Sequence, residues 1–146
     1  MPEARAAAVQ AGIELVTGIE LSVGWGNREL HVVGLGMQAE HPALLALVEA
    51  QQQARVRRAE QIGRKLDKAA GLAGSYERAA SLAGTDAPGR PLFARMLVAA
   101  GKVRDEQHAF NRYLKPGQSA FVSTPWVALE EAVACLLYTS PSPRDA

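Results

Sequence analysis

Two short apolar runs stand near the start of the chain, Ile13–Val16 (IELV) and Ile19–Val23 (IELSV), broken at Thr17-Gly18. Their β-branched and aliphatic residues suit strands. Trp25-Gly26-Asn27 follows with turn chemistry, because Gly and Asn tolerate positive φ. Leu30–Leu35 (LHVVGL) is a further strand, so this stretch predicts a hairpin or neighbouring strands of one sheet. Ahead of it, Glu3–Gln10 is alanine-rich and helix-favouring, and Ala11-Gly12 is a helix stop. A helix that runs straight into a strand reads as the second half of a βα unit whose first strand lies outside the chain.

His41-Pro42 opens a long helix predicted over Pro42–Ala70, with proline in the first turn where its missing N–H costs nothing. Leu45, Val48, Gln52, Arg55, Ala59, Ile62 and Leu66 recur at three- and four-residue spacings, one face of a 3.6-residue period. Arg57, Arg58, Arg64, Lys65 and Lys68 crowd its second half, where cations suit the helix dipole. These cations read first as a solvated face, with contact to RNA as the alternative. Shorter helices are predicted over Tyr76–Ala83, Pro91–Ala100 and Arg104–Leu114, stopped by Gly84, Gly101 and Pro116-Gly117. Ala120–Val122 reads as a brief extended piece and Trp126–Cys135 as a helix with Pro125 at its start. Strands come first and a cluster of short helices follows.

The end of the chain departs from this pattern. LLYTSPSPRDA alternates serine and proline, which cannot continue a helix, and is similar to translated sequencing-adapter sequence. Residues 136–146 are therefore read as a non-native tail, expected on the surface with few contacts, and Cys135 as doubtful. A natural proline-rich tail is the alternative.

Composition narrows the picture. The 146 residues are 48% hydrophobic and 21% charged, ordinary for a globular chain with a real core. Sixteen basic and fifteen acidic residues leave a formal +1, so the total charge draws the chain to neither nucleic acid nor an anionic membrane. One cysteine excludes a disulfide framework and a multi-cysteine zinc site. With 5% aromatics the chain is poor in stacking platforms for single-stranded nucleic acid. No apolar run is long enough for a membrane span and the start lacks a signal-peptide core, so a cytoplasmic location is expected.

No HxH, HExxH, CxxC, GxSxG or phosphate-binding glycine loop occurs, and spacing alone specifies no reaction. The notable feature is polar: Glu20 lies inside the apolar run TGIELSV, and His31 inside ELHVVGL. Alternation places each on the face opposite to its apolar neighbours. Were the sheet buried on both faces, each group would cost several kcal/mol unless paired or metal-bound. A carboxylate and an imidazole on adjacent strands form half of a metal site. The alternatives are a structural Glu–His hydrogen bond or a sheet edge facing water.

The segment GIELVTGIELSVGWGNRELHVVGLG resembles the "GIxLIPGVEIS…W…HIVGL" stretch of the polymerase and histidinol phosphatase (PHP) superfamily. The resemblance continues in order through HPAL, RRAEQIGRKLDKAAG, GRPLFARMLVAAGKVRDEQHAFNRYL, FVSTPW and LEEAV. It points to the branch of 3′,5′-nucleoside bisphosphate phosphatases and RNase AM-like 5′ exoribonucleases. It implies a distorted (β/α)7 barrel, an α/β fold, binding up to three divalent cations (Mn, Fe, Zn or Mg), with a helical insertion capping the site. Residues 1–69 would be a partial barrel, 70–122 the insertion, and 123–135 a return to a barrel helix. Glu20 and His31 match the family's metal-ligating glutamate and histidine. The family's DxHxH, DHD and later histidine and aspartate motifs have no counterpart here, so this chain is expected to be inactive alone.

The branch's R-x-H-F-A-R stands here as Arg90-Pro91-Leu92-Phe93-Ala94-Arg95, with leucine in place of histidine. Guanidinium suits phosphate by bidentate bonding. Arg90 is therefore the first choice for a phosphate contact, with a helix-start role as its alternative. Arg95 has a weaker claim and can pair with Asp105 or Glu106. Tyr113 and Trp126 read as core residues of the insertion, and His41 and His108 are assigned to no metal. The implied activity is removal of phosphate from nucleoside 3′,5′-bisphosphates or from the 5′ ends of short RNA, without a membrane or protein partner. Hydrolysis of another small phosphomonoester, such as histidinol phosphate, is one alternative. A non-catalytic helical module binding RNA or a partner is the other.

Overall fold

The structure, a computed structural model, describes residues 2–140. Its elements are α1 (Pro2–Ala11), β1 (Gly18–Trp25), β2 (Arg28–Leu35), α2 (Pro42–Ala70), α3 (Ser75–Ala83), α4 (Arg90–Ala99), α5 (Glu106–Ala109), a π-helical turn (Phe110–Leu114) and α6 (Leu129–Thr139). They form two compact units, one of residues 1–49 and 126–146 and the other of residues 50–125, divided within α2.

In the first unit β1 and β2 make an antiparallel hairpin. Only two residues, Gly26 and Asn27, join the strands, a connection that permits no parallel pairing. Gly26 takes φ +56° while Asn27 stays at negative φ, the φ pattern of a type II′ turn. One face of the hairpin is apolar: Leu21 and Val23 are buried and pack with Met37, Leu44, Ala132 and Leu136, with Ile19, Leu30 and Val32 at the margin. Gly34 lets this contact close, since a Cβ there would stand 2.6 Å from Met37 Cε and 2.7 Å from a Leu136 methyl.

Several expectations are corrected in this unit. Ile13–Val16 is not a strand among the described residues: a strand needs a hydrogen-bonding neighbour, β1 pairs only with β2, and Ile13 and Val16 are exposed. The sheet is not buried on both faces, because Val33 and Leu35 on the outer face are 64% and 67% exposed. The expected helix start at Trp126 moves to Leu129, because Val127 O accepts from Gly24 N at 2.9 Å and Ala128 bridges Gly24, which holds the chain extended. Helix α6 also runs beyond Cys135. Leu136 and Thr139 are buried, Gln38 N donates to Thr139 O at 2.8 Å, and Ser140 Oγ donates to Leu136 O, so residues 136–140 do not lie idle on the surface. Residues 141–146 of the expected tail lie outside the described residues.

The helical unit has its own core of Ile62, Leu66, Phe93, Leu97 and Leu114, all fully buried, with Tyr113 beside them. Tyr113 thus takes the expected core place, whereas half-buried Trp126 falls in the other unit. The α2–α3 contact depends on Gly63, where a Cβ would come within 2.6 Å of Tyr76 Cβ and 2.8 Å of its backbone N. The predicted bounds of α2 agree with the structure, but its early apolar face does not. Leu44 is buried and Leu47 partly so, while Leu45 and Val48 are 53% and 40% exposed, a shift of one residue. The predicted extended piece Ala120–Val122 forms no strand; Ala120 N instead donates to Tyr113 O at 2.9 Å. The predicted Arg104–Leu114 helix shortens to α5 and the π-helical turn. Its N-cap Asp105 accepts from His108 N at 2.7 Å.

Candidate functional site

The antiparallel register pairs Glu20 with Val33 and Ser22 with His31, so Glu20 and His31 lie diagonally on one face. Their side chains meet: His31 Nδ1 and Glu20 Oε1 are hydrogen-bonded. Both are more than half exposed, which removes the burial cost invoked for them and leaves the pair open to solvent. The other ring nitrogen, His31 Nε2, stands 3.8 Å from Glu29 Oε1. The imidazole therefore sits between two carboxylates. Glu29 was missed in the sequence, although the i,i+2 spacing to His31 that places both on one face of a strand was there to be read.

The donor types suit a transition-metal or manganese cation, an imidazole nitrogen beside carboxylate oxygens. Their number does not complete a site. Among the described residues no group of three His, Cys, Asp or Glu converges to hold a metal ion, whereas such sites ordinarily take three or four protein donors. In this chain the two groups satisfy each other.

The remaining candidates lie in the helical unit. Arg90 opens α4 directly after the N-cap Gly89, and its guanidinium carbon lies 5.8 Å from the centre of the Phe121 ring. It forms no ion pair among the described residues and stays available to an anion. Arg95 does not: its Nε contacts Glu106 Oε1 at 3.2 Å. Lys65 Nζ donates to Phe121 O at 2.7 Å and Arg58 Nη1 to Thr124 Oγ1 at 3.0 Å, so these two cations strap the 121–124 segment to α2. An open cleft of about 240 Å³ is lined by Glu60, Arg64, Asp67, Tyr76 and Glu77. There desolvation, then the charges of Asp86, Glu60 and Glu77, push the Tyr76 phenol above its usual value, and its hydroxyl donates to Asp86 O. His41, unassigned in the sequence, is structural. Its Nδ1 accepts from Ala43 N at 3.2 Å at the start of α2, and its ring edge meets Tyr138. No described helix is long and apolar enough to cross a membrane.

The fold is mixed α/β and matches a solved amidohydrolase of Chromobacterium violaceum, described with bound sulfate and no metal. The TM-score is 0.74 at 39% identity, over 94% of this chain and 49% of that one. The relatives of known name carry the names of the group its sequence resembles. It is 44% identical over 131 residues to a 5′-3′ exoribonuclease of Haemophilus influenzae, covering 90% of this chain and 47% of the relative. It is 41% identical over 140 residues to a 3′,5′-nucleoside bisphosphate phosphatase of Chromobacterium violaceum, covering 94% and 48%. The chain thus spans about half the length of these relatives. No family model matches it.

Proposed function

We propose that this chain is one part of a divalent-metal phosphoesterase that hydrolyses nucleoside 3′,5′-bisphosphates or the 5′ ends of short RNA. The observation that carries the reading is the exposed Glu20–His31 pair on the outer face of the hairpin. A carboxylate and an imidazole left in solvent on a sheet do little for stability, since exposed ion pairs contribute about 0–1 kcal/mol. They are the donor types a catalytic cation takes. Homology to a bisphosphate phosphatase and an exoribonuclease over nine-tenths of the chain supports the substrate class.

In this reading residues 1–69 and 123–135 belong to a (β/α)7 barrel and 70–122 to a helical insertion. Glu20 and His31 would supply two ligands to a cluster of Mn, Fe, Zn or Mg, completed by groups from the rest of the intact protein. When bound, such a cluster would supply Lewis-acid chemistry, polarising a phosphoryl group and lowering the pKa of an attacking water. Glu29, its Oε1 3.8 Å from the second imidazole nitrogen, would add a negative charge on that side of the ring. Arg90, which has no carboxylate partner among the described residues, would bind substrate phosphate. Leu92, half-buried where the branch has histidine, offers no polar contact to a phosphate.

The test uses the intact protein, with Mn²⁺ content and turnover of adenosine 3′,5′-bisphosphate as readouts. Glu20→Gln and His31→Ala should each lower turnover by about a hundredfold or more and reduce bound Mn²⁺, with the thermal transition unchanged. Full activity and full metal content in both variants would overturn the assignment. The chain by itself should show no turnover, and chelator-sensitive activity from it would contradict the ligand count.

A further inference from the structure

The near-neutral total charge conceals a segregation. Residues 50–125 hold thirteen of the sixteen Lys and Arg but six of the fifteen Asp and Glu, a formal +7. Residues 1–49 with 126–146 hold the other three and nine, a formal −6. The surplus is organised along α2. Ala59, Ile62 and Leu66 face the helical core with no exposed surface. At 100° per residue, Arg57, Arg64 and Lys68 fall within about 20° of one line on the opposite side, with Gln53 and Gln61 beside them. Arg57, Arg64 and Lys68 are exposed. Arg64 has only a long contact, 3.9 Å, to Glu60, and Arg57 and Lys68 form no ion pair among the described residues. Arg58 and Lys65, next to them in sequence, are the two cations spent on the 121–124 strap.

We infer that this face of α2 is a binding surface for the phosphate backbone of a single-stranded polynucleotide, which adds a polymer-binding surface to the substrate class of the proposed function. The identity of the polymer rests on that reading; the anionic repeat rests on the surface itself. From Arg57 to Lys68 the stripe covers roughly 17 Å of helix, with cations spaced by roughly 10 and 6 Å. That suits a row of phosphates better than one small anion, which takes a concave site. A membrane surface fits less well. An interfacial helix needs an apolar face for the lipid, whereas the apolar face of α2 is in the core, and Leu82 is the one large exposed hydrophobic among the described residues of this unit. With no aromatic side chain on the stripe, contact is with the backbone and independent of base sequence.

The test is fluorescence anisotropy of a labelled 20-nucleotide single-stranded RNA titrated with the full chain at several salt concentrations, without metal. The triple variant Arg57→Ala, Arg64→Ala, Lys68→Ala should weaken binding by at least about tenfold. It should also flatten the slope of log affinity against log salt by about 2, at about 0.7 per lost phosphate contact. Glu60→Gln, which removes the carboxylate flanking Arg64, should tighten binding, a gain that misfolding cannot mimic. Equal affinity of the triple variant, no gain from Glu60→Gln, or tighter binding to phosphatidylserine vesicles than to RNA would each overturn the inference. The assay involves no turnover, so its failure leaves the Glu20–His31 reading standing, and loss of that reading leaves a positive result here intact.

Discussion

Among the described residues the helical unit closes around a cluster of thirteen buried apolar residues and the hairpin unit around one of six, although the two contain similar lengths of chain. The hairpin unit also leaves most of one sheet face to solvent, with Val33 and Leu35 beside Glu20 and His31 and only Ser22 buried there, and its segment Ile13–Val16 has no strand partner among the described residues. One unit is built as a scaffold whose outside is cationic. The other spends its apolar residues on one face and its candidate chemistry on the other. Most of the buried core and the candidate metal ligands thus come from different parts of the sequence, and substitutions should separate them.

The largest expected effect is in the scaffold. Phe93 is fully buried at the centre of the helical core, and Phe93→Ala should cost about 3–5 kcal/mol through lost burial and the cavity left behind. Chemical denaturation checks it; a loss below about 1 kcal/mol would mean that the helical unit does not dominate stability. Overpacking sharpens the contrast. Gly63→Ala pushes a methyl into Tyr76 backbone and Cβ, which cannot move away, and should cost about 1–3 kcal/mol. Gly34→Ala meets only the flexible ends of Met37 and Leu136, so its thermal shift should be the smaller of the two.

Much of this was legible in sequence. The proline at position 42 and the glycines at 71 and 74 bracket α2 because each is a local signal. The Gly26-Asn27 turn marks the hairpin for the same reason, and alternation placed Glu20 and His31 away from their apolar neighbours. What escaped depended on long-range contacts. Nothing local distinguishes Ile13–Val16 from a paired strand; the difference is whether a neighbour accepts its hydrogen bonds. Leu45 and Val48 carry the same hydropathy as Leu44 and Leu47, and only the position of the hairpin core selects between the two registers. The onward run of α6 is masked in sequence by the serine–proline tail, because the burial of Leu136 and Thr139 depends on the hairpin and the segment after it.

Smaller effects concern the ends of helices. His41→Ala removes the acceptor for Ala43 N–H and should cost about 0.5–2 kcal/mol. At the start of α5, the hydrogen bond from His108 N holds the Asp105 carboxyl below its usual range, desolvation opposes this, and the Arg104 charge adds to it. A lowered folded value stabilises the protein above the ordinary carboxylate range, and that contribution is lost as pH falls through the folded value. Asp105→Asn should therefore show a slightly shallower fall in melting temperature between neutral pH and acid than the parent. An identical profile would remove the cap's electrostatic part.

The division between scaffold and chemistry is tested most directly by steady-state kinetics of the intact protein on two substrates, adenosine 3′,5′-bisphosphate and a 5′-phosphorylated short RNA. Glu20→Gln should depress turnover of both by similar factors, while the Arg57, Arg64 and Lys68 triple variant should raise KM for the RNA and leave the mononucleotide unaffected. Loss of mononucleotide turnover in the triple variant, or undiminished turnover in Glu20→Gln, would contradict the account.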